Sequence, residues 1–220
     1  MRESVHPRQH SAQRDWQSAE AAADYRLKRD PSRFHRYQRE EAILVSWLDG
    51  LPAGAVVLDI PCGTGRWIRT LTGRGFRYIG GDVSLAMIGE ARAAADGGKP
   101  LGFVNADVGR LPFGDKSVDC VIIWRLLHHV GQADYRCAML REAARISRGK
   151  VLVSFHHPIS FTHLRKSIQR KLSGRAHRGS VITHWQLKRE AESCGLRLSE
   201  TKSFRKYISV NWFACLSAQP

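Results

Sequence analysis

The sequence predicts a doubly wound α/β fold with a mainly parallel sheet of seven strands, of which the last two form an antiparallel pair. Short apolar runs alternate with helix-like segments between about residues 55 and 155, which is typical of parallel sheets covered by helices on both faces. After residue 195 the pattern changes to two longer strand-like runs with a short connection. The length of 220 residues suits one such domain.

The individual elements are predicted from apolar spacing and from the residues that cap or break each run. The first helix follows Asp30-Pro31-Ser32, where proline takes a favoured first position, and it ends before Gly50. Ser84 is the expected N-cap of the helix that follows it. The predicted strands are residues 55–60, 76–81, 102–106, 118–124, 150–155, 197–204 and 207–217. The later predicted helices are residues 65–72, 84–95, 132–147, 158–172 and 183–194.

The composition divides the chain into three parts. Residues 1–10 are predicted to be a disordered tail, and residues 11–50 to form helices ahead of the sheet. Residues 51–220 are predicted to form the main domain. Within it, residues 158–190 are predicted to insert a basic amphipathic helix and a loop rich in glycine and arginine.

Charge and cysteine content limit the function classes. Most of the formal net charge of +15 lies in residues 163–220, which hold twelve basic and three acidic residues. Such a block attracts RNA, anionic lipid or phosphorylated metabolites, although solubility alone would also explain it. No apolar run approaches the roughly 18 residues of a membrane span, and the first residues lack the apolar core of a signal peptide. Five scattered cysteines favour free thiols in a reducing cytoplasm.

The strongest functional signal is the turn after the first predicted strand. The strand ends in Asp59, and a turn that contains Gly63 and Gly65 leads into a helix. Such a loop lets backbone approach a ligand closely, at the sheet edge where doubly wound folds bind ligands. It has neither the Gly-Lys-Ser/Thr of a Walker loop nor the third glycine of a dinucleotide fingerprint. Asp82 and Asp107 end the next two strands, and Asp82 is placed to bind ribose hydroxyls.

Four motifs follow one another along the chain: Leu58-Asp59-x-x-Cys62-Gly63-Thr64-Gly65, Gly81-Asp82-x-Ser84, Ala106-Asp107-x-x-x-Leu111-Pro112-Phe113 and Ser117-Val118-Asp119. In this order they resemble the class I S-adenosylmethionine-dependent methyltransferases, and among these the methyltransferase type 11 group. The resemblance covers about residues 40–158. It implies a Rossmann-like fold, a methyltransferase domain at 51–220 and the cofactor S-adenosyl-L-methionine, with S-adenosyl-L-homocysteine as the product.

The resemblance also implies roles for single residues around the cofactor. Asp59 would hold the methionine end through its ammonium group or a water. Gly63 and Gly65 would let the backbone pass under the carboxypropyl and ribose moieties. Asp82 would bind the ribose hydroxyls, and Val83 would pack on the adenine.

The resemblance implies further cofactor contacts. Asp107 would accept from the adenine amino group, and the Val108 N–H would bind a ring nitrogen. Pro61, Cys62 and Trp124 complete the implied cofactor site. The family often has glycine where Pro61 stands, and proline fixes φ and removes an N–H, so that it would stiffen this turn.

The segment after the fourth strand carries the candidate catalytic residues. His128 or His129 could act as a general base, since imidazole titrates near neutrality, or could pack beside the cofactor. Arg125 could orient an anionic acceptor. A second pair, His156-His157, follows the fifth strand. Neighbouring loop residues point apart and no acid or cysteine accompanies the pairs, so no metal site is predicted.

The acceptor stays open at the level of sequence. By the resemblance, residues 11–50 and 158–190 would cover it. The basic helix of 158–172 could form a lid over a small acceptor, lie on an anionic membrane surface to reach a lipid-linked one, or bind RNA phosphates. We expect a small or lipid-linked anionic acceptor, with tRNA or rRNA methylation and a non-catalytic cofactor-binding regulator as alternatives. The expected location is the cytoplasm, including the inner face of the membrane.

Overall fold

The computed structural model describes residues 34–95, 97–158, 180–204 and 209–218. The strands are β1 Val56–Asp59, β2 Arg77–Asp82, β3 Gly102–Asn105, β4 Val118–Ile123, β5 Ser147–His156, β6 Leu196–Ser203 and β7 Asn211–Ala218. The helices are α1 Phe34–Leu48, α2 Ile68–Thr72, α3 Leu85–Ala94, α4 Ala133–Ile146 and α5 His184–Glu192, with a 3₁₀ turn at Leu127–His129.

The strands form one mixed sheet in the order β3-β2-β1-β4-β5-β7-β6. The first five strands in this order are parallel, whereas β7 pairs antiparallel with both β5 and β6. This confirms the predicted doubly wound, seven-stranded sheet with its antiparallel pair. The strand order reverses between β1 and β4, and this switch point opens a crevice at the carboxyl ends of the strands.

The sheet is buried on both faces, because neighbouring strand residues belong to different cores. Val57 and Ile122 pack with α1 and α2, whereas Leu58 and Val121 pack with α4 and α5. All four side chains are fully buried. This explains why the strands read as unbroken apolar runs instead of alternating ones.

Helix α1 crosses the sheet from one end to the other. Its last turn is tied to the amino-terminal part of β5 and to β6: Lys150 Nζ donates to the Trp47 carbonyl at 2.6 Å, and Trp47 Nε1 donates to Glu200 Oε2 at 2.5 Å. The first turns of α1 therefore lie at the opposite end of the strands, beside the carboxyl ends of the parallel strands.

Some predicted boundaries are wrong by a few residues. Helix α2 begins at Ile68 and not at residue 65, because Gly63 and Gly65 both have positive φ and the loop continues past them. Strand β5 begins at Ser147 directly after α4, three residues earlier than predicted. The Ser84 cap is confirmed, since its side chain accepts from the Met87 N–H at 3.3 Å.

Several predicted segments fall outside the described residues. They are the tail of 1–10, the helical part of 11–33 and, from residue 159 to 179, most of the basic helix and loop. Within the described ranges, no helix has both the length and the apolar character needed to cross a membrane.

Candidate functional site

A cavity of about 690 Å³ opens at the carboxyl ends of β1, β2, β4 and β5, under the first turns of α1. Its size is that of a pocket for small molecules. Seven of the predicted cofactor residues line it: Asp59, Pro61, Cys62, Gly63, Asp82, Val83 and Trp124. The three predicted catalytic residues Arg125, His128 and His129 line the same cavity. The sheet switch point therefore brings together most of the residues that the motifs singled out.

The loop after β1 is held in place by main-chain contacts. The Cys62 N–H donates to the Gly81 carbonyl at 2.7 Å, and the Gly63 N–H donates to Asp82 Oδ2 at 3.0 Å. Gly63 has φ +52, and an added Cβ there would meet no atom within 4 Å, because it would project into open space. Backbone at this position can therefore approach a ligand closely.

Asp59 lines the cavity and is almost fully buried. Tyr78 Oη donates to its Oδ2 at 2.9 Å, whereas Oδ1 is buried and accepts no hydrogen bond from the described residues. Burial raises the pKa of Asp59 to about 7, against the hydrogen bond from Tyr78, which lowers it. A cationic group of a ligand would supply the missing partner of Oδ1 and would favour the ionised carboxylate.

Asp82 is the second acid at this end of the cavity. Its two oxygens accept from the Gly63 and Ser84 N–H groups, at 3.0 and 2.9 Å. Burial raises its pKa, and these backbone donors partly offset that rise. Asn105 Nδ2 bonds to the carbonyls of Asp82 and Val83, both at 2.9 Å, and so fixes the end of β2. Two oxygens offer about four lone-pair sites, so the carboxylate can still accept from a ligand hydroxyl.

Three predicted cofactor residues are not among the side chains that line the cavity. An added Cβ at Gly65 would lie 2.5 Å from Ile68 Cδ1 and 3.1 Å from the Ala91 backbone, so this glycine allows α2 and α3 to pack closely. Asp107 accepts from the Gly109 N–H at 2.7 Å and from Tyr135 Oη. Val108 is buried in the core. The adenine contacts of Asp107 and Val108 stay predictions.

A cluster of three arginines around one acid lies on the α1 side of the cavity. We call Arg36, Arg66 and Arg125 the arginine cluster. They lie 3.2, 2.5 and 2.9 Å from carboxylate oxygens of Glu40, which is 1% exposed. Burial raises the Glu40 pKa, but Arg66 and Arg125 outweigh it, so the net pKa lies below its ordinary value. The carboxylate therefore stays ionised and holds the guanidinium groups in place.

Aromatic rings surround the arginine cluster. The Arg66 guanidinium lies over the rings of Tyr37 and Trp67, at 4.4 and 4.3 Å from their centroids. Trp124 donates from Nε1 to Glu40 Oε2 at 3.3 Å and stacks on Phe213 at 4.9 Å. Trp124 therefore forms part of the cavity wall, and its predicted contact with the cofactor stays a prediction.

Three imidazole rings lie in contact in the same cavity as the arginine cluster, with His128 stacked on His156 and tilted against His129. The His128 ring lies 3.9 Å from that of His156 and 4.1 Å from that of His129, between centroids. Burial lowers the pKa of His128 to about 2, with further lowering by the neighbouring imidazoles and by Arg125. Burial also lowers the pKa of His129. With so low a pKa the His128 imidazole is a weak base, which favours the packing role over the catalytic one for this residue.

Two other sequence expectations concern metal and thiol chemistry. In the described parts of the chain, no three His, Cys, Asp or Glu side chains are placed to hold a metal ion. Burial raises the pKa of the Cys62 thiol, with a further rise from Asp59. Cys62 is therefore a wall residue and not a nucleophile at neutral pH.

Sequence reasoning missed the residues that hold the arginine cluster together. Glu40 falls between Tyr37 and Leu44 at helical spacing, and this pattern puts an acid on the apolar face of α1. Such an acid needs a partner, so the signal was present. Asn211 carried no signal, because its contact with Arg36 joins residues 175 positions apart.

Comparisons with known proteins agree with this geometry. Residues 57–149 match the family model described as a methyltransferase domain. A demethylmenaquinone methyltransferase of Thermobifida fusca is 33% identical over 107 residues, which are 48% of this chain and 45% of that protein. A tRNA (carboxymethyluridine(34)-5-O)-methyltransferase of Arabidopsis thaliana is 30% identical over 113 residues, 50% of this chain and 26% of that protein. The chain spans less than half the length of both relatives.

Solved structures share the whole fold. The magnesium protoporphyrin IX methyltransferase of Synechocystis PCC 6803 with bound S-adenosylmethionine superposes with a TM-score of 0.73 and 17% identity, over 99% of this chain and 100% of that one. The same enzyme with bound S-adenosylhomocysteine gives 0.68 and 20%, over 83% and 84%. The fold is that of the class I S-adenosylmethionine-dependent methyltransferases. Residues 57–149 are similar in sequence to the methyltransferase-domain family.

Proposed function

We propose that this protein is an enzyme that transfers a methyl group from S-adenosylmethionine to a small or lipid-linked anionic acceptor in the cytoplasm. One observation carries the cofactor assignment: Asp59 lines the cavity together with Gly63, and its buried Oδ1 accepts no hydrogen bond from the described residues. An ammonium group is the partner that this atom fits. The family match of residues 57–149 supports the same assignment.

The acidic end of the cavity fits the parts of S-adenosylmethionine. Asp59 would hold the ammonium group at the methionine end, and Asp82 would accept hydrogen bonds from the two ribose hydroxyls. Val83, which is 37% exposed, offers an apolar surface to the adenine. S-adenosylmethionine, when bound, supplies a methyl group that the adjacent sulfonium charge already activates.

The residues of this chain then have three tasks: to orient the acceptor, to exclude water and to leave the methyl accessible. The first turns of α1 and the rings of Trp124 and Phe213 cover the cavity. The Arg125 backbone N–H donates to Ser154 Oγ at 2.6 Å, and the Arg125 guanidinium lies 2.9 Å from Glu40 Oε1, so backbone and side chain are both held before an acceptor arrives. A small anionic acceptor suits this wall.

A methyl-transfer assay tests the proposal. Protein and S-adenosylmethionine labelled with tritium in the methyl group are mixed with fractionated host extract, and the label is followed into small-molecule, lipid and RNA fractions. We expect transfer into a small-molecule or lipid fraction by the natural protein, and less transfer by Asp82→Ala at the same subsaturating cofactor concentration. Cofactor binding without transfer into any fraction would instead favour a non-catalytic, cofactor-binding regulator.

RNA methylation is the second candidate function. Residues 163–220 hold twelve basic and three acidic residues, and one relative is a tRNA methyltransferase. A basic segment binds RNA phosphates and releases their counterions, so the affinity would fall steeply with salt. Label in the RNA fraction, with salt-sensitive RNA binding, would replace the small acceptor with this candidate.

A further inference from the structure

The α1 side of the cavity carries more positive charge than its own acids balance. The arginine cluster places three guanidinium groups within 3.2 Å of the single carboxylate of Glu40. The neighbouring acid Glu41 is engaged elsewhere, since its Oε1 accepts from Thr70 Oγ1 at 2.6 Å. Glu41 also lines the cavity and keeps its charge there, so on this side three guanidinium groups face two carboxylates among the described residues, an excess of about one positive charge.

The arginine cluster has two distinct sides. Arg66 is the arginine whose charge lowers the pKa of Asp59, at the end of the cavity assigned to the cofactor. Arg36 and Arg125 instead lower the pKa of His128, as do the imidazoles of His129 and His156. The groups that influence His128 from α1, the β4 end and β5 are thus cations or imidazoles.

Arg36 and Arg125 come from different elements and are both fixed before any ligand binds. Arg36 Nε lies 3.2 Å from Glu40, and its Nη2 donates to Asn211 Oδ1 at 3.2 Å. Arg125 Nη2 donates to both oxygens of Glu40, at 2.9 and 3.2 Å. Rigid guanidinium groups that line one cavity are suited to planar or tetrahedral oxyanions, because each guanidinium offers several donors in a fixed fork.

We propose that Arg36 and Arg125 form an oxyanion subsite, which binds a carboxylate or phosphate group of the acceptor while its apolar body lies on the aromatic wall. The wall consists of Tyr37, Trp124 and Phe213. The inference rests on the proposed function, because that function assigns the Asp59 end of the cavity to the cofactor. It adds the chemical class of the acceptor and the two side chains that select it.

The cofactor has a carboxylate of its own, so the test must separate the two sources. Protein saturated with S-adenosylhomocysteine is titrated by calorimetry with 2-naphthoate, with 2-naphthyl phosphate and with the neutral 2-naphthamide. The same titrations are run without S-adenosylhomocysteine. The variants are Arg36→Gln and, as a matched control on the same helix, Arg39→Gln, since Arg39 is exposed and lies outside the cavity lining.

We expect at least one naphthyl anion to bind the saturated protein ten times or more tighter than the amide. Arg36→Gln should weaken that anion by about tenfold to a hundredfold, the usual range for a charge-assisted hydrogen bond. It should leave the affinities for the amide and for S-adenosylhomocysteine within about twofold. Arg39→Gln should behave as the natural protein. The tighter of the two anions identifies carboxylate or phosphate as the acceptor group.

Three results would overturn the subsite. Equal binding of anion and amide would show that charge is not recognised. Equal losses in Arg36→Gln and Arg39→Gln would show diffuse attraction only. A loss of S-adenosylhomocysteine affinity in Arg36→Gln, with the anions unaffected, would assign Arg36 to the carboxylate of the cofactor. Failure of the natural protein to bind S-adenosylhomocysteine would contradict the proposed function and not the subsite. The titrations of the naphthyl compounds in the absence of S-adenosylhomocysteine would still test the subsite.

Discussion

The acidic end of the cavity is built from loop backbone near in sequence, whereas the arginine cluster is built from long side chains far apart in sequence. The contact between Gly63 and Asp82 joins residues 19 positions apart. The contacts of Arg125 with Glu40 and of Arg36 with Asn211 span 85 and 175 positions. One end therefore presents fixed backbone donors with two acids, and the other presents cations that depend on a single buried carboxylate.

This difference predicts that substitutions at the two ends of the cavity have different effects on ligand binding and on folding. Backbone around Gly63 is held by the sheet itself, so changes there should alter ligand binding more than folding. The arginine cluster holds buried charge, so removal of its acid should alter folding first.

The largest expected effect is the loss of the acid at the centre of the arginine cluster. Glu40→Gln would leave three guanidinium groups without a counter-charge and should lower the free energy of unfolding by about 2–4 kcal/mol, since the arginines are partly exposed. Urea denaturation measures this value. The matched control is Glu41→Gln, which loses the charge but keeps an acceptor oxygen for Thr70 Oγ1, and which should cost about 1 kcal/mol or less. Equal losses in both variants would show that Glu40 has no special place in the fold.

The acidic end should respond to pH through Asp59, whose pKa is raised to about 7. Below that pH the carboxyl is protonated, so an ammonium ligand must displace a proton. The affinity for S-adenosylhomocysteine should therefore fall up to about tenfold per pH unit below 7 and level off above it. Calorimetry from pH 5.5 to 8 measures this. The nucleoside 5′-methylthioadenosine has no amino-acid end and should show no such slope; a slope of equal size with it would remove Asp59 from the ammonium contact.

The two glycines of the loop separate packing from binding. Both have positive φ, so alanine costs each a similar backbone strain of about 1 kcal/mol. Gly65→Ala should lose about 1–3 kcal/mol more of unfolding free energy, because its methyl group would overlap Ile68 and Ala91. Gly63→Ala should instead weaken S-adenosylhomocysteine binding. Thermal unfolding and calorimetry on both variants check this, and the reverse pattern would contradict the assignment.

The smallest expected effect concerns His128. With a pKa lowered to about 2, its imidazole stays neutral at working pH and is a weak base. His128→Asn should therefore change turnover on the acceptor fraction by less than about tenfold. The pH profile of turnover should show no inflection near pH 6.5 that the variant then lacks. A fall of about 10²–10⁴-fold with unchanged cofactor affinity would instead make His128 the general base.

The sequence predicted the backbone-built end well and the side-chain-built end poorly. Asp59, Asp82 and the Ser84 cap follow from strand ends and turn chemistry, which are local properties. The packing role of Gly65 was not predicted, because its close approach to Ala91 depends on how two helices meet, and its cofactor contact stays a prediction. The buried face of α1 was visible as periodicity, but the arginines that meet Glu40 there depend on how distant elements cross.

The most direct test of the central claim is a calorimetric titration of S-adenosylhomocysteine into the natural protein and into Asp82→Ala, with the exposed Asp134→Ala as the control. Circular dichroism first establishes that all three are folded. The account predicts saturable binding with one site, weakened by about 1–3 kcal/mol in Asp82→Ala and unchanged in Asp134→Ala. No heat with the natural protein, or equal affinity in Asp82→Ala, would contradict it.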